Sequence, residues 1–255
     1  MSASVGDNNT QQSSGYSGLA EQSGPLHAFF EYSTVLVFPF LFIVNLHWAS
    51  TRPYEFELFW LIAIAIPLGV IGSDFITGLL HWVADTYGSE DTPVLGQSFV
   101  KPFRLHHLYP RDICTHKLVE TAGNSCIVAV PVLAVCLYLL WLLPESPWLA
   151  FAVVWVTLMG AVTVATNHFH KWAHQESPSA FTRWLQRTHL ILEPSHHEVH
   201  HTDPFNMHYC ITNGWLNPVL NKLQFFRRLE ATLRFFGIET ARAKDDRVAR
   251  IDGTD

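Results

Sequence analysis

The chain has 255 residues, of which 49% are hydrophobic and only 15% are charged, whereas a soluble domain usually carries about a quarter charged residues. This composition favours a membrane protein, and the formal net charge of −6 argues against a general nucleic-acid binder because the chain has no basic excess for phosphates. The 15 histidines are a second departure from ordinary composition. Histidine is costly near lipid unless it binds something, so the excess indicates a ligand site.

The N-terminal residues 1–24 are rich in Ser, Gln, Asn and Gly and predict a disordered tail rather than a signal peptide. Four apolar segments follow, each long enough for a bilayer, which takes about 20 residues. They are predicted at 29–48, 58–82, 126–143 and 148–165. Four buried helices of a soluble bundle would need polar faces, which these segments lack. The sequence therefore predicts an all-α integral membrane protein with four transmembrane helices.

The basic residues of the connections predict the orientation of these helices. The loop between the second and third segments and the tail after the fourth carry nearly all of them, including Lys101, Arg104, Arg111, Lys117, Lys171, Arg183, Arg187, Lys222, Arg227 and Arg228. The other two connections offer Arg52 alone. Positive residues favour the cytosolic side, which predicts that this loop, this tail and the N-terminus are cytosolic. All histidines except His27 and His47 fall at or beyond the same edge, which predicts one cytosolic histidine-rich cap.

Two histidine motifs follow the fourth apolar segment. His170 and His174 form an H-x-x-x-H pair, whose members share a helix face and can reach one metal. His197, His200 and His201 form an H-x-x-H-H motif, which is hard to explain by packing alone. The four cysteines, Cys114, Cys126, Cys136 and Cys210, show no C-x-x-C spacing and are interpreted as packing residues.

The second apolar segment ends with a stripe of polar residues. Asp74, His81 and Asp85 are separated by seven and eleven residues, which return to nearly the same helical direction. Carboxylates on an apolar helix are costly in lipid and usually mark function. The alternative is that both aspartates neutralise Arg104 or Lys101. A further histidine pair, at 106 and 107, lies in the basic loop.

Imidazole and carboxylate groups without a cysteine cluster favour iron over structural zinc, which often takes thiolates. The candidates exceed the ligands of one tetrahedral ion, which predicts two metals. Two irons can activate dioxygen for attack on an unactivated C–H bond, a reaction beyond protein side chains alone. Other imidazoles would then orient the metal ligands through hydrogen bonds.

Several motifs, including those above, follow one another in a fixed order: GSDFITGLLHW (72–82), ADTYGS (84–89), PFRLHH (102–107), Asn167, HKWAH (170–174), HEVHH (197–201), YCITNGWLN (209–217) and FRRLE (226–230). Over roughly residues 69–230 this order resembles that of a known family, the Kua/CarF-type plasmanylethanolamine desaturases. The chain departs from the family pattern at 193–195, Phe205, His208 and His168, which leaves the histidine motifs intact.

The resemblance implies a desaturase that uses two iron ions and dioxygen to convert the sn-1 alkyl ether of a plasmanyl phospholipid to a vinyl ether. The desaturase domain would span 25–237, with a polar tail at 238–255, and no nucleic acid is involved. Carried over by position, the implied metal ligands are His81, Asp85, His106, His107, His170, His174, His197, His200 and His201. Further candidates, as weaker ligands or groups that orient ligands, are Asp74, His116, His189 and His196.

Other interpretations remain open from the residues alone. Lipid hydroxylases and fatty-acyl desaturases use similar histidine motifs, while a transporter or haem protein would place its polar groups deeper in the spans. No haem or flavin domain is apparent, so a separate electron donor, cytochrome b5-like or ferredoxin-like, is expected. The expected membrane is a bacterial inner membrane, or the endoplasmic reticulum in a eukaryote. The apolar stripe after Gly214 either lies on the membrane surface or packs on the cap.

Overall fold

The computed structural model describes residues 24–51, 58–93 and 96–241, and these ranges contain helices and connecting segments but no β-strand. Residues 1–23 of the predicted tail, Arg52 and the C-terminal residues 242–255 lie outside the described part. Nine α-helices occur within it: α1 (Pro25–Ser50), α2 (Leu58–Thr86), α3 (Lys101–Leu108), α4 (Leu118–Leu142), α5 (Pro147–Ala173), α6 (Ala180–Arg187), α7 (Pro194–Glu198), α8 (Asn217–Lys222) and α9 (Phe225–Phe235).

Four of these helices are long and apolar enough to span a bilayer. They are α1, the 62–86 part of α2, α4 and α5. Large apolar side chains point away from the protein along them; Leu36 of α1 is 75% exposed and Val128 of α4 is 64% exposed. Such surfaces are stable in lipid and not in water. The predicted all-α membrane fold is therefore confirmed, and the chain is an integral membrane protein.

The ends of α4 and α5 differ from the sequence prediction. Helix α4 begins at Leu118 rather than at 126, and α5 continues to Ala173 rather than stopping at 165. These extra turns carry polar side chains that pair between the helices: the Asn167 amide donates to the Thr121 carbonyl at 3.0 Å, and His168 Nδ1 lies 3.0 Å from Thr121 Oγ1. Hydropathy underestimated the length of both helices because it scores these paired polar groups as if they faced lipid.

The packing of the bundle brings the histidine-bearing helix ends together. Helix α1 packs against α4, α2 against α5, and α4 against α5. At one end, a buried apolar cluster joins the last turn of α1, the start of α2, the last turns of α4 and the start of α5 through Ala49, Ala65, Leu140 and Val153. The C-terminal ends of α2 and α5 therefore lie together at the other end of the bundle.

A cap formed by the segments after α5 covers this second end. Leu220 of α8 and Phe226 of α9 are buried against Trp82 and Tyr209. Two more members of the apolar stripe, Leu229 and Leu233, pack against the same cluster. Of the two interpretations that the sequence left open, packing of the stripe on the cap is therefore favoured.

Candidate metal centre

Helix α2 contributes two side chains that lie one turn apart on its buried face. His81 is fully buried and Asp85 is 8% exposed. Their spacing of four residues places them on one helix face, and His81 Nε2 lies 3.4 Å from Asp85 Oδ2. This carboxylate oxygen is the point on which two more histidines converge.

Asp85 Oδ2 lies 3.2 Å from His107 Nε2 and 3.5 Å from His200 Nε2. With His81, these residues offer three imidazole nitrogens and one carboxylate, all within 4.8 Å of one another. We call His81, Asp85, His107 and His200 the four-ligand group. Three nitrogens and one oxygen suit a transition-metal cation, and the buried carboxylate would compensate part of its charge.

Backbone carbonyls fix the tautomers of two rings in the four-ligand group. His81 Nδ1 lies 3.1 Å from the Tyr209 carbonyl oxygen, and His200 Nδ1 lies 2.8 Å from that of Met207. A carbonyl only accepts, so each Nδ1 carries the proton and each neutral ring keeps its Nε2 lone pair for the centre. Sequence reasoning missed these contacts because every residue carries a carbonyl, so no residue type signals them.

The second set of ligands contains five histidines from three separate parts of the chain. We call it the five-histidine group; it consists of His106, His170, His174, His197 and His201. His197 lies at its centre: its Nε2 is 2.8 Å from that of His170 and 3.0 Å from those of His174 and His201. Ring nitrogens that share a metal at bond lengths of about 2.1 Å lie about 3.0–3.4 Å apart, so these nitrogens are spaced for one shared cation.

Polar atoms left unpaired within the two groups also fit metal binding. Nε2 of His81, His106 and His200 are buried without a hydrogen-bond partner among the described residues. The ring of His106 lies edge to face with that of His170, with centroids 4.4 Å apart, and His106 offers one ring nitrogen to the five-histidine group. Buried polar atoms are costly when unsatisfied, and a bound cation would satisfy these three.

Five histidines of the two groups lie outside the spanning helices, and burial keeps their rings neutral at physiological pH. Burial lowers the pKa of His201 to about 2 and that of His174 to about 4, because desolvation disfavours the imidazolium ion. Burial likewise lowers the pKa of His106, His197 and His200. A metal binds the neutral ring through a lone pair, so these side chains are already in the ligating form.

The two groups are adjacent. The ring centroids of His107 and His201, which belong to different groups, are 5.2 Å apart, and those of His200 and His201 are 5.5 Å apart. Two cations held in the groups would therefore be close enough to act on one small molecule, as in two-metal sites. All nine side chains that the sequence pointed to as ligands belong to one or the other group.

The four lower-ranked candidates lie outside both groups. His116 pairs with Asp112 at 3.4 Å, and the exposed His189 lies 3.8 Å from Glu193. His196 stacks on His208 with centroids 4.3 Å apart.

Asp74, the fourth lower-ranked candidate, is fully buried two turns before His81 on α2. Its Oδ1 accepts the backbone N–H groups of 212, 213 and 214 at 3.0–3.2 Å, and its Oδ2 accepts that of Leu216 at 3.0 Å. These four N–H groups account for the burial of the Asp74 carboxylate, so neither Lys101 nor Arg104 is needed to neutralise its charge. Its observed role is to attach the 212–216 segment to α2.

Replacing Asp74 is expected to destabilise the protein strongly. Asp74→Ala leaves four buried N–H donors without an acceptor, each worth about 1–3 kcal/mol, so we expect a loss of at least about 3 kcal/mol. Asp74→Asn keeps one acceptor oxygen and should fall between alanine and wild type. Thermal unfolding in detergent measures the effect, with Asp91→Ala, whose side chain is exposed, as the control. Equal melting temperatures for Asp74→Ala and Asp91→Ala would refute this account.

The spanning helices and paired ligand groups define a membrane protein with a candidate two-metal centre. Comparison with known proteins gives its family: residues 70–244 match the lipid desaturase domain, so the chain belongs to the lipid desaturase family, whose members are oxidoreductases acting on lipids. It is 38% identical to the plasmanylethanolamine desaturase of Myxococcus xanthus over 237 residues, 88% of this chain and 82% of the relative.

Further relatives carry two kinds of name. The chain is 38% identical to plasmanylethanolamine desaturase 1 of Mus musculus over 194 residues, covering 72% of this chain and 69% of the relative. It is 29% identical to fatty acid desaturase 4-like 1, chloroplastic, of Arabidopsis thaliana over 179 residues, 69% of this chain and 58% of the relative. No solved structure matches the chain.

Proposed function

We propose that this protein is a dioxygen-dependent di-iron desaturase that converts the sn-1 alkyl ether of plasmanylethanolamine to the vinyl ether of a plasmalogen. The observation that carries the proposal is the pair of adjacent buried ligand groups, in a chain 38% identical to two relatives named for this activity. The lipid substrate follows from the family; the ether bond, the iron and the dioxygen are the proposed parts.

The donor set supports iron as the metal. Eight imidazoles and one carboxylate, without a thiolate, are ligands typical of non-haem iron, whereas structural zinc sites are usually closed by four ligands that often include thiolates. Bound iron would supply the activation of dioxygen that protein side chains cannot supply. The protein's part is to keep His106, His174, His197, His200 and His201 neutral by burial, to orient His81 and His200 through backbone carbonyls, and to keep water from the buried groups.

The proposed reaction balances with one external electron donor. Reduction of dioxygen to two water molecules takes four electrons and four protons. Removing one hydrogen from each of the first two alkyl carbons supplies two electrons and two protons, and a carbon–carbon double bond forms between them. The other two electrons come from a separate protein, for which we propose a cytochrome b5-like or ferredoxin-like donor, and the other two protons come from water.

The position of the ligand groups along the helices supports a substrate bond close to the head group. His81 lies five residues before the end of α2, and His170 lies three residues before the end of α5. At about 1.5 Å per residue, both are within about 8 Å of a helix end. The first two carbons of an sn-1 alkyl ether lie at a similar depth, whereas mid-chain carbons would need a channel deep into the leaflet.

The proposed topology has the metal centre on the cytosolic side, since the basic residues around α3 and after α5 follow the distribution found there. We propose a bacterial inner membrane as the location. The desaturase domain would correspond to residues 25–237.

An acyl-chain desaturase or lipid hydroxylase is the second candidate. Relatives named as fatty acid desaturases, at 29% identity in Arabidopsis thaliana and 31% in Acanthamoeba polyphaga mimivirus, favour the acyl substrate. Similar histidine motifs serve each of these reactions, so the product must distinguish them.

Analysis of the lipid product tests the proposal. In a host supplied with alkyl ether phospholipid, expression of the protein should produce an acid-labile vinyl ether that releases a fatty aldehyde on acid hydrolysis, and only when oxygen is present. His170→Ala should produce none. His168→Ala is the matched control, because His168 lies on the same helix and contacts Thr121 instead, and it should retain activity.

Different products would point to different enzymes. A new mid-chain double bond, with the ether pool unchanged, would replace the proposal by an acyl desaturase. A hydroxylated lipid would replace it by a hydroxylase.

A further inference from the structure

One peptide unit of the cap links the four-ligand group by hydrogen bonds to Asn217, a residue that makes no hydrogen bond to any of the four ligands. It is the peptide between Tyr209 and Cys210, both fully buried. Its carbonyl oxygen accepts from His81 Nδ1 at 3.1 Å, and its N–H donates to the side-chain oxygen of Asn217 at 2.9 Å. The orientation of the His81 ring therefore depends on a peptide plane that is held from its other side by Asn217.

Asn217 binds the backbone of Cys210 at two points. Besides accepting the Cys210 N–H, it donates its side-chain N–H to the Cys210 carbonyl at 2.9 Å, and the same nitrogen lies 3.1 Å from His196 Nε2. A backbone donor and a backbone acceptor fix which end of the amide is oxygen. Asn217 is 1% exposed, so water cannot easily replace these bonds.

Two other features seat this segment against α2. Asp74 holds the N–H groups of 212–214 and 216, as described above. At Gly78, three residues before His81, a Cβ atom would lie 2.5 Å from Cys210 Sγ and 3.2 Å from Cys210 Cα. Gly78 thus permits the Cys210 backbone to rest directly on the helix that carries His81.

We infer that Asn217 is a positioning residue for the four-ligand group, acting through the Tyr209–Cys210 peptide to hold His81 in the orientation and tautomer that bind metal. This inference rests on the proposed metal centre. Without Asn217, the peptide can turn, and the His81 ring loses the acceptor that keeps its proton on Nδ1. The five-histidine group makes no described hydrogen bond to this peptide, so its metal should be retained.

The test measures ferrous iron binding rather than activity. Apoprotein in detergent is equilibrated with ferrous iron by anaerobic dialysis, and wild type should bind two equivalents. Asn217→Ala should bind one equivalent with unchanged affinity and the other about 10–100-fold more weakly, the usual cost of losing a group that orients a ligand. Asn221→Ala is the matched control. Asn221 is the same residue type and lies one turn along the cap from Asn217, but the side chain of Asn221 makes no hydrogen bond to a described residue.

A double variant separates positioning from general destabilisation. If Asn217 acts through His81, adding Asn217→Ala to His81→Ala should weaken iron binding no further. The retained affinity of the five-histidine group reports that each variant is folded. Unchanged affinities in Asn217→Ala, equal weakening of both sites, or additive effects in the double variant would overturn the inference alone. Wild type binding fewer than two equivalents would overturn the metal-centre proposal and the inference with it.

Discussion

Replacing His197 with alanine is expected to lower vinyl ether formation by more than about 100-fold, since loss even of a group that only orients a metal ligand costs about 10–100-fold. His197 is the central member of the five-histidine group, with its Nε2 within 3.0 Å of those of His170, His174 and His201. Its loss removes one ligand and opens space among the other rings. Product is measured as aldehyde released by acid, and iron by mass spectrometry of the purified protein.

His47→Ala is the control for this experiment. His47 lies near the end of α1, where the apolar cluster around Ala49 closes the opposite end of the bundle. The variant should therefore keep wild-type iron and activity. An inactive His47→Ala together with an active His197→Ala would mean that the centre lies elsewhere.

Asp85→Asn is expected to reduce the bound iron from two equivalents to about one and to abolish product. The carboxylate oxygen of Asp85 faces three histidine nitrogens at 3.2–3.5 Å and is the only anionic ligand in either group. Asparagine has nearly the same shape but no charge and ligates metal poorly, so the four-ligand group should empty while the five-histidine group stays filled. Metal analysis and the aldehyde assay measure both effects.

Asp112→Asn is a closely matched control. Asp112 pairs with His116 four residues later at 3.4 Å, the same spacing and distance that join His81 and Asp85, but this pair lies outside both groups. The control should keep two irons and full activity. Two irons retained in Asp85→Asn would exclude this carboxylate as a ligand, and a single zinc in active wild-type protein would exclude the iron pair.

The spans and the histidine motifs could be predicted because each depends on local sequence. An apolar run of about 20 residues must satisfy its backbone internally in lipid, and a helix does so. His170 and His174 must share a helix face whatever surrounds them. The polar ends of helices depend on residues distant in sequence and are harder to predict. Helices α4 and α5 extend through Thr121 and Asn167 because these two residues pair with each other, and hydropathy does not measure such pairing.

For Asp74, the sequence indicated that the side chain has a role but not which groups bind its carboxylate. A carboxylate in an apolar helix demands compensation, and the sequence offered metal or a neighbouring cation as candidates. The partners are four backbone N–H groups some 140 residues later in the chain. Every residue except proline carries such a group, so residue types cannot identify the donor.

Local sequence patterns predicted four membrane-spanning helices and nine side chains as candidates for the metal centre, because helical periodicity and ligand chemistry act over a few residues. How the nine divide between the two ligand groups depends on the tertiary structure. His106 and His107 enter different groups, as do His200 and His201, since neighbouring residues on a helix or tight turn point in widely different directions. The groups themselves assemble from α2, α3, α5 and the cap, and contacts between such distant segments depend on packing that no local pattern encodes.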